Sequence, residues 1–542
     1  MRSSSRLPFA KWLAPPIGAA IVVVAASSVA LATTLTAGPV VRVPDNPLGG
    51  NPTCKALVAK HTALGSTNYP DAEVEPNIAV DPTNPQHLIG SVQQDRWNDG
   101  GANGLTNVVS TDGGATWSLA AGQPQFSICA GAPSGSPGFF DRATDPWVSF
   151  SADGQVAYSI SDSFNANGPA FGGASSIIIS RSTDGGSHWQ TPVTARLDTS
   201  TQVLNDKESV TGDPLAARAS NAYAVWDQLV SPNKNANPSA FVHSIAFRGP
   251  TLFSRTTDKG VTWSQGRVIF DPGQNDQTIG NQIVVPTAGP AAGVLIDGMS
   301  LITNQGGKCP IVFIVNHSGH PSKCGKGSTF TAAVIRSTDG GNTWSEARGI
   351  DTQQVASVSI AGQAVRSSDF LPEFAANPVN GNIYAVWQDA RFSPTGASKI
   401  AFSQSADGGL TWSPVIRIDQ SPGNTQAFLP QIHVASDGTV GLLYYDLENA
   451  TAAQPGLTDA FIAHCHSATS DCTNPASWAA GGETRLSTSG SFDYLTAPNA
   501  GGFFLGDYAG LTSSGSTFKA LFDMSQPIAT AGKSDTFSNS AG

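Results

Sequence analysis

Five copies of one eight-residue pattern constrain the fold of this chain more than any other feature. Each copy has a hydroxyl residue first, Asp third, Gly fifth and Trp eighth. The copies are Ser110–Trp117, Ser182–Trp189, Thr256–Trp263, Ser337–Trp344 and Ser405–Trp412. Because chance does not repeat such a pattern five times, the chain is built from a repeated supersecondary unit.

The octet has the chemistry of a tight turn between two strands. Each copy follows a short β-rich run, such as Ile177-Ile178-Ile179 before the second copy. Asp bonds downstream backbone amides and Gly tolerates positive φ, so we predict a β-hairpin turn. The Trp then packs into an apolar seam, where each buried ring contributes about 2–3 kcal/mol. The primary role of the octet is therefore structural.

The octet resembles the Asp-box, or BNR repeat, of the sialidase superfamily and its β-propeller relatives. The resemblance extends over all five copies, residues 110 to 412. It implies an all-β fold, a single β-propeller of four-stranded antiparallel blades with five Asp-box hairpins. It also implies that these hairpins lie on the outer side of the blades, away from the active site, so it predicts a fold more strongly than an activity.

A fainter repeat precedes each octet and predicts the number of blades. It consists of a strand, a turn and a second strand that ends in Asp or Asn. The first strands are Glu75–Val80, Asp145–Phe150, Asp206–Thr211, Gly280–Val285, Leu371–Ala376, Leu429–Val434 and Leu505–Gly510. The second strands end at Asp95, Asp162, Asp227, Asn304, Asp389, Asp446 and Asp523. We predict seven blades; six is the alternative, because sialidase propellers have six and the last unit is degenerate.

The last two units depart from the pattern. The sixth keeps only Asp471 and Trp478 of its box, and the seventh ends near Phe537 without an outer strand. Because a propeller must close its ring, we predict that residues 54 to 68 supply the missing strand. The sequence predicts no long helix beyond the N-terminal segment.

The N-terminal segment indicates export. Arg2, Arg6 and Lys11 precede an uncharged stretch whose apolar centre runs from Ile17 to Ala32. We predict a signal peptide over residues 1–32, with an uncleaved membrane anchor as the alternative, and a secreted or cell-surface protein. Residues 33–70 then form a Pro/Gly-rich leader that contributes to ring closure, 71–537 form the propeller, and 538–542 are a tail.

Six cysteines agree with export, because an even number in an oxidising compartment indicates disulfides. We predict the pairs Cys309–Cys324 and Cys465–Cys472, which leave Cys54 to pair with Cys129. Zinc bound by Cys309, His317, His320 and Cys324 is an alternative, and their irregular spacing favours the disulfide.

The net charge of −11 argues against nucleic acid or an anionic membrane surface as the partner. Only 13% of the residues are charged, compared with about 25% in typical globular domains. With 57 Gly and 36 Pro residues, the chain has the composition of many tight turns and few exposed helices.

Candidate site residues come from the third position of each first strand, which we expect to face the central channel if that strand is innermost. These residues are Asn77, Trp147, Glu208, Gln282, Glu373, Gln431 and Asp507. Like charges in a narrow space raise one another's pKa and prepare an acid and a base, as glycoside hydrolysis requires. The alternatives are a channel lined by polar side chains without chemistry, and a structural calcium ion bound by carboxylate and amide oxygens. We predict no other cofactor.

The resemblance to sialidases implies a specific set of site residues. That family uses three arginines to bind the substrate carboxylate, a Tyr nucleophile polarised by Glu, an Asp acid/base and an Arg-Ile-Pro motif in the first blade. The motif is missing here: the corresponding strand reads Glu75-Pro76-Asn77, and Arg42-Val43-Pro44 lies before the first blade. The arginines at the ends of blade strands are Arg96, Arg142 and Arg391.

Tyr508, beside Asp507, is the first candidate nucleophile, and Tyr444 and Tyr445 are the second. We therefore take Asp507, Glu373, Glu208 and Tyr508 as catalytic candidates. The substrate-binding candidates are Arg96, Arg142, Arg391, Trp147, Gln282 and Gln431.

Two functions compete at this point. The first is an exported, sialidase-like glycoside hydrolase acting on extracellular glycans or glycoproteins. The second is a propeller without catalysis that binds glycan or protein at the cell surface. A membrane is a partner only if the N-terminal segment is uncleaved. Glucan-directed hydrolysis is a weaker third candidate, because such Asp-box enzymes pair two propellers and this chain has room for one.

Overall fold

The computed structural model describes residues 34–231, 248–274, 276–304, 328–525 and 532–542. Within this part, the chain forms one compact body. The predicted signal peptide and the predicted pair Cys309–Cys324, with its zinc alternative, lie outside the described residues. Among those described, no helix has both the length and the apolar character needed to cross a membrane.

The fold is all-β and consists of antiparallel four-stranded units that follow one another along the chain. Before them come β1 (Val41–Arg42) and helix α1 (Pro52–Ala63). Unit 1 is β2 (Glu73–Asp81), β3 (Asn84–Arg96), β4 (Ala102–Ser110) and β5 (Ser118–Leu119); unit 2 is β6 (Arg142–Phe150), β7 (Ala157–Asn167), β8 (Ala170–Ser182) and β9 (Val193–Asp198). Unit 3 is β10 (Val203–Gly212), β11 (Ala222–Val230), β12 (Thr251–Thr256) and β13 (Arg267–Phe270); unit 4 is β14 (Gln277–Val284), β15 (Leu295–Asn304), β16 (Ser328–Ser337) and β17 (Arg348–Thr352).

The remaining units follow a small hairpin, β18 (Ser359–Ile360) and β19 (Gln363–Arg366). Unit 5 is β20 (Glu373–Ala376), β21 (Ile383–Asp389), β22 (Lys399–Ser405) and β23 (Ile416–Arg417). Unit 6 is β24 (Ala427–Val434), β25 (Thr439–Asp446), β26 (Leu457–His466) and β27 (Glu483–Arg485), with helix α2 (Pro475–Gly481) and β28 (Phe492–Asp493) attached. After β29 (Phe503–Phe504), which pairs with β19, unit 7 is β30 (Gly510–Ser514), β31 (Thr517–Ser525) and β32 (Ser534–Ala541). The short 3-10 helices are Leu48–Gly50, Ala216–Arg218, Ala390–Phe392 and Tyr494–Thr496.

The first strands of the units contact one another in a closed cycle. β2 contacts β6, and the series continues through β10, β14, β20, β24 and β30, which returns to β2. Apolar cores lie between neighbouring units: Tyr158 of unit 2 packs in one core with Trp226 of unit 3. Another core joins Leu521 of unit 7 to Leu88 of unit 1, so the last unit packs against the first. The first strands therefore surround a common axis.

The strand that completes unit 7 comes from a different place than predicted. Val41 and Arg42 of β1 pair with Ser538 and Phe537 of β32, so the N-terminal and C-terminal segments share one sheet. The predicted source, residues 54 to 68, instead contains α1, because Asn51 caps the helix by accepting a hydrogen bond from Cys54 N and Pro52 starts it. β32 runs to Ala541, so most of the predicted tail is strand.

The octets share one hydrogen-bond pattern. In the first, Ser110 Oγ donates to Asp112 Oδ1 at 2.8 Å and accepts from Gly114 N at 2.9 Å, while Asp112 Oδ1 accepts from Thr116 N at 2.9 Å. The same three bonds occur in the other four copies. Hydrogen bonds from the Thr116 side chain and backbone lower the pKa of Asp112 to about 2. The carboxylate thus fastens the turn, as expected from the sequence.

Two disulfides tie irregular segments to the sheets. Cys54 of α1 is bonded to Cys129, and Cys465 of β26 is bonded to Cys472. Both pairs agree with the sequence prediction. In the sixth unit, Trp478 is buried and donates through its indole nitrogen to Cys472 O at 2.9 Å.

Candidate functional site

Five first strands are interrupted at the same place by a bulge. In units 1, 2 and 3 the bulge carries a charged residue. The pairing register shifts between Val74 and Asn77, between Thr144 and Trp147, and between Asp206 and Ser209. The bulged residues Glu75, Asp145 and Lys207 have positive φ values of 57°, 52° and 49°, which is uncommon for residues other than Gly. Such conformations cost free energy and are concentrated at functional sites.

The bulges bring charged side chains from different units to one point at the axis. Lys207 Nζ donates to Asp145 Oδ1 at 2.6 Å, to Asp507 Oδ2 at 2.7 Å and to Glu75 Oε1 at 3.2 Å. Arg366, at the end of β19, donates to both carboxylate oxygens of Asp507. We call Glu75, Asp145, Lys207, Arg366 and Asp507 the axial cluster.

The axial cluster is buried, and Arg366 is its most exposed member. The side chains of Glu75, Asp145, Lys207 and Asp507 are at most 9% exposed, whereas that of Arg366 is 25% exposed. Arg366 stacks on the Phe504 ring at 4.4 Å, and β19 pairs with β29, which carries Phe504. The layer formed by β18, β19 and β29, which carries both Arg366 and Phe504, forms a wall beside the axial cluster.

Arg96 is the member of the predicted arginine set that lies beside this wall. Its guanidinium stacks on Phe504 at 4.8 Å and donates to Gln93 Oε1 at 2.7 Å. Gln93 Nε2 in turn contacts Glu75 Oε2 and donates to Thr144 Oγ1 at 2.9 Å. Burial and the positive charge of Arg366 lower the pKa of Arg96 to about 10.

The carboxyl groups of the axial cluster differ in their affinity for protons. Burial raises the pKa of Glu75 to about 7, although Lys207 opposes the shift. Burial also acts on Asp507, but Arg366 and Lys207 outweigh it and hold the pKa of that carboxyl well below its usual range. The cluster contains two cations and three carboxyl groups, and Glu75 binds a proton more readily than Asp507 does. Two carboxyl groups of different proton affinity thus share Lys207.

Tyr508 and Trp147, both predicted from the sequence, lie against the axial cluster. The two rings meet edge to face with centroids 5.4 Å apart, and Lys207 Nζ is 5.7 Å from the centroid of the Tyr508 ring. The Tyr508 hydroxyl donates to Pro146 O at 3.1 Å, and burial raises its pKa well above the usual value. Tyr508 is therefore a neutral hydrogen-bond donor here.

Three other predicted residues form a second polar group at the axis. Gln282 Nε2 donates to Glu373 Oε2 at 2.6 Å, and the Gln431 side chain also bonds to Glu373. They come from units 4, 5 and 6, and we call them the amide cluster. Burial raises the pKa of Glu373 to about 8, although these amides and the charge of Lys207 lower it in part.

The other predicted candidates at the axis make backbone contacts. Glu208 Oε1 accepts from Asp162 N, and burial raises the pKa of Glu208 well above its usual value. Asn77 Oδ1 accepts from Val148 N at 2.9 Å and so links units 1 and 2. The bulge at Lys207 accounts for this: it moves the lysine, and not Glu208, into the place that Glu75 and Asp145 occupy in their own strands.

The structure does not bring the remaining predicted side chains to the axial cluster. Arg142 pairs with Asp99 at 2.6 Å and stacks on Trp97. Arg391 pairs with Asp389 of unit 5 and Asp351 of unit 4. Tyr444 and Tyr445 are buried in two different apolar cores. The three arginines named from the sequence therefore have separate partners.

Sequence reasoning missed four members of the axial cluster: Glu75, Asp145, Lys207 and Arg366. A signal for the first two exists, since each is an acidic residue directly before Pro in aligned strands, Glu75-Pro76 and Asp145-Pro146. Among the described residues, no group of three or more His, Cys, Asp or Glu side chains has the arrangement of a metal site.

Comparisons with known proteins agree with the Asp-box resemblance. Residues 108–119 match the family model described as BNR/Asp-box repeat, which confirms the resemblance at the first octet. No curated protein matches the chain. This chain is an all-β protein of antiparallel four-stranded sheets. It carries a BNR/Asp-box repeat.

Solved structures similar to this chain include enzymes and a protein of unknown function. The latter, from Dyadobacter fermentans, is 12% identical over 94% of this chain and 98% of its own, with a TM-score of 0.44. A GH93 alpha-L-arabinofuranosidase of Fusarium graminearum is 14% identical over 75% and 92%, with a TM-score of 0.42. The NanB sialidase of Streptococcus pneumoniae is 11% identical over 84% and 83%, with a TM-score of 0.40.

Proposed function

We propose that this chain is an exported glycoside hydrolase, built as a single Asp-box propeller of seven blades. The closed cycle of first strands and the pairing of β1 with β32 support seven blades, one for each unit. Disulfides such as Cys54–Cys129 support a protein that works outside the reducing cytosol, on extracellular glycans or glycoproteins.

The observation that carries the proposed chemistry is the pair of unlike carboxyl groups that share Lys207. Glu75 Oε1 is 3.2 Å and Asp507 Oδ2 is 2.7 Å from Lys207 Nζ, and Glu75 Oε1 also accepts from Asp507 N at 3.0 Å. Pairs of titratable groups whose pKa values are driven apart assign the acid and its ionised partner. Glu75, with a pKa of about 7, is the acid and Asp507 is the carboxylate.

These roles follow the requirements of glycosidic bond cleavage. Protonated Glu75 gives its proton to the leaving-group oxygen as the bond to the anomeric carbon breaks. The Asp507 carboxylate stabilises the positive charge that develops on the sugar ring. Water then forms the new bond to the anomeric carbon and returns a proton to the Glu75 carboxylate. Lys207 holds both groups in place, and the charges of Arg366 and Lys207 together keep Asp507 ionised.

Arg142 and Arg391 do not form a three-arginine carboxylate site of the sialidase kind with Arg96. Arg142 is bound to Asp99, and Arg391 is bound to Asp389 and Asp351. Neither arginine is therefore free to bind a substrate at the axis. A substrate carboxylate is therefore not required for recognition in this proposal.

A propeller that binds glycan without catalysis is the second candidate. It is favoured by the complete pairing of the axial cluster, in which each of the five charged groups contacts a group of opposite charge. Such pairing stabilises the ring closure between units 1, 2, 3 and 7 whether or not chemistry occurs.

Turnover of aryl glycosides separates the two functions. The wild-type chain, Glu75→Gln and Asp507→Asn are assayed on 4-nitrophenyl and 2,4-dinitrophenyl glycosides of neutral and acidic sugars. We expect both variants to lose at least about 100-fold in kcat on the 4-nitrophenyl substrates. The loss for Glu75→Gln shrinks on the 2,4-dinitrophenyl substrates, because that leaving group needs no proton.

Glu73→Gln is the matched control. Glu73 lies on the same strand, is equally buried and has a pKa raised by burial to about 8, but it accepts from Thr536 N and lies outside the axial cluster. If Glu75→Gln and Asp507→Asn hydrolyse as fast as Glu73→Gln, the assignment is wrong. Retention of the chain on a glycan array without any turnover favours the binding function.

A further inference from the structure

The amide cluster has one polar atom without a partner. Gln282, Glu373 and Gln431 are 8%, 4% and 7% exposed, and they face the axis from three successive units. Gln282 uses both ends of its amide, since Nε2 donates to Glu373 and Oε1 accepts from Phe374 N at 3.3 Å. Gln431 Oε1, in contrast, is buried and accepts no hydrogen bond from the described residues.

A buried acceptor without a donor costs about 1–3 kcal/mol, so it is seldom kept without a role. Gln431 Oε1 needs an N–H or O–H donor, and Nε2 of neighbouring Gln282 donates to Glu373 instead. The position of this atom beside Glu373 means that a group binding to it also meets the Glu373 carboxyl group.

The charge at this place determines which ligands fit. At neutral pH Glu373 is protonated, so the amide cluster carries no net charge and offers one carboxyl O–H as a donor. A hydroxyl group, which both donates and accepts, matches a carbonyl acceptor and an O–H donor side by side. A carboxylate has no proton to give Gln431 Oε1, and the guanidinium of Arg366 is already bound to Asp507.

We propose that the amide cluster is a subsite for the hydroxyl groups of a neutral sugar, with Gln431 Oε1 accepting one of them, and that sugar acids are not ligands there. This inference rests on the proposed function and adds its substrate class. The two halves of the axis then have different tasks: Glu75 and Asp507 perform the reaction, and Gln282, Glu373 and Gln431 select the sugar.

Calorimetric titration of the full chain with named sugars tests the subsite. The probes are L-arabinose, D-galactose and D-glucose as neutral sugars, and D-glucuronate and N-acetylneuraminate as acids. We expect at least one neutral sugar to bind, neither acid to bind as tightly, and Gln431→Leu to weaken binding of the neutral sugar at least 10-fold.

Gln353→Leu is the control variant, because Gln353 is also 7% exposed and has an unpartnered amide nitrogen, but bonds to Ser300 away from the amide cluster. We expect it to bind like the wild type. The inference is overturned if no neutral sugar binds, if an acid binds more tightly, or if Gln431→Leu and Gln353→Leu behave alike. If Gln431 Oε1 binds an ordered water and no sugar, Gln431→Leu and Gln353→Leu behave alike.

The binding data also separate this inference from the proposed function. If a neutral sugar binds in a way that depends on Gln431 but no glycoside is turned over, the subsite is supported and the hydrolase function is refuted. If turnover depends on Glu75 but KM is unchanged in Gln431→Leu, the hydrolase function is supported and the subsite is refuted.

Discussion

Replacement of Lys207 by Met destabilises the folded chain strongly. The ammonium group of Lys207 contacts Glu75, Asp145 and Asp507, and its side chain is 9% exposed. Removal of one partner from a buried ion pair costs about 3–5 kcal/mol, because the remaining charges are left uncompensated. We expect a loss of this size in the free energy of unfolding at pH 7, measured by denaturant titration and supported by a lower Tm.

Lys399→Met is the matched control for this variant. Lys399 is fully buried, but its nearest carboxylate is Asp419 at 3.8 Å, and Asp419 keeps Arg417 as a partner at 2.8 Å. We expect a clearly smaller loss for Lys399→Met. The loss in Lys207→Met should also shrink near pH 4.5, where carboxyl groups take up protons. Equal losses in the two variants at both pH values would falsify the account of the axial cluster.

The second large effect is a decrease in stability as the pH rises from about 4.5 to about 8. Burial raises the pKa of Glu73 and Glu373 to about 8, and that of Glu75, Asp206 and Asp446 to about 7. Because these folded-state values lie above those of the unfolded chain, the folded state binds more protons in this range. Stability is therefore highest at the acid end of the range and is lost as the pH passes through the folded-state values.

The size of this effect is several kcal/mol, since one pKa unit corresponds to about 1.4 kcal/mol for each group. The measurement is Tm by calorimetry at intervals from pH 4.5 to 8.5. Glu73→Gln and Glu373→Gln should flatten the profile, because a glutamine stays neutral as the protonated glutamate does. A Tm that rises with pH across this range would contradict the burial of these groups as protonated acids.

The repeated units could be predicted from the sequence because their signals are local. The octets encode a turn within eight residues, as in Thr256–Trp263 between the paired strands β12 and β13. The sequence prediction that residues 54 to 68 complete unit 7 was wrong. Asn51-Pro52 is a helix start, so the residues after it form α1 and leave Val41–Arg42 to pair with β32.

The candidate site was predictable only in part. Asp507, Tyr508, Trp147 and Glu373 lie at the axis, as expected from their place in the repeat. The bulge in β10 puts Lys207 in the central position in place of Glu208. A one-residue shift of this kind cannot be predicted from the alternation of side chains along a strand.

Arg366 and Phe504 lie far from each other in sequence and meet through the parallel pairing of β19 with β29. No local pattern encodes that contact. The residues that depend on such long-range pairing were therefore found only in the structure.

The pH dependence of kcat/KM tests the assignment of Glu75 and Asp507 most directly. Glu75 must be protonated to act as the acid, and its pKa is about 7, whereas the pKa of Asp507 lies far below neutrality. With a 4-nitrophenyl glycoside, we predict a plateau on the acid side down to pH 5 and a fall in kcat/KM above about pH 7. In Glu75→Gln this alkaline fall disappears. A rate that rises with pH through 7, or an alkaline fall that survives in Glu75→Gln, would show that Glu75 is not the acid.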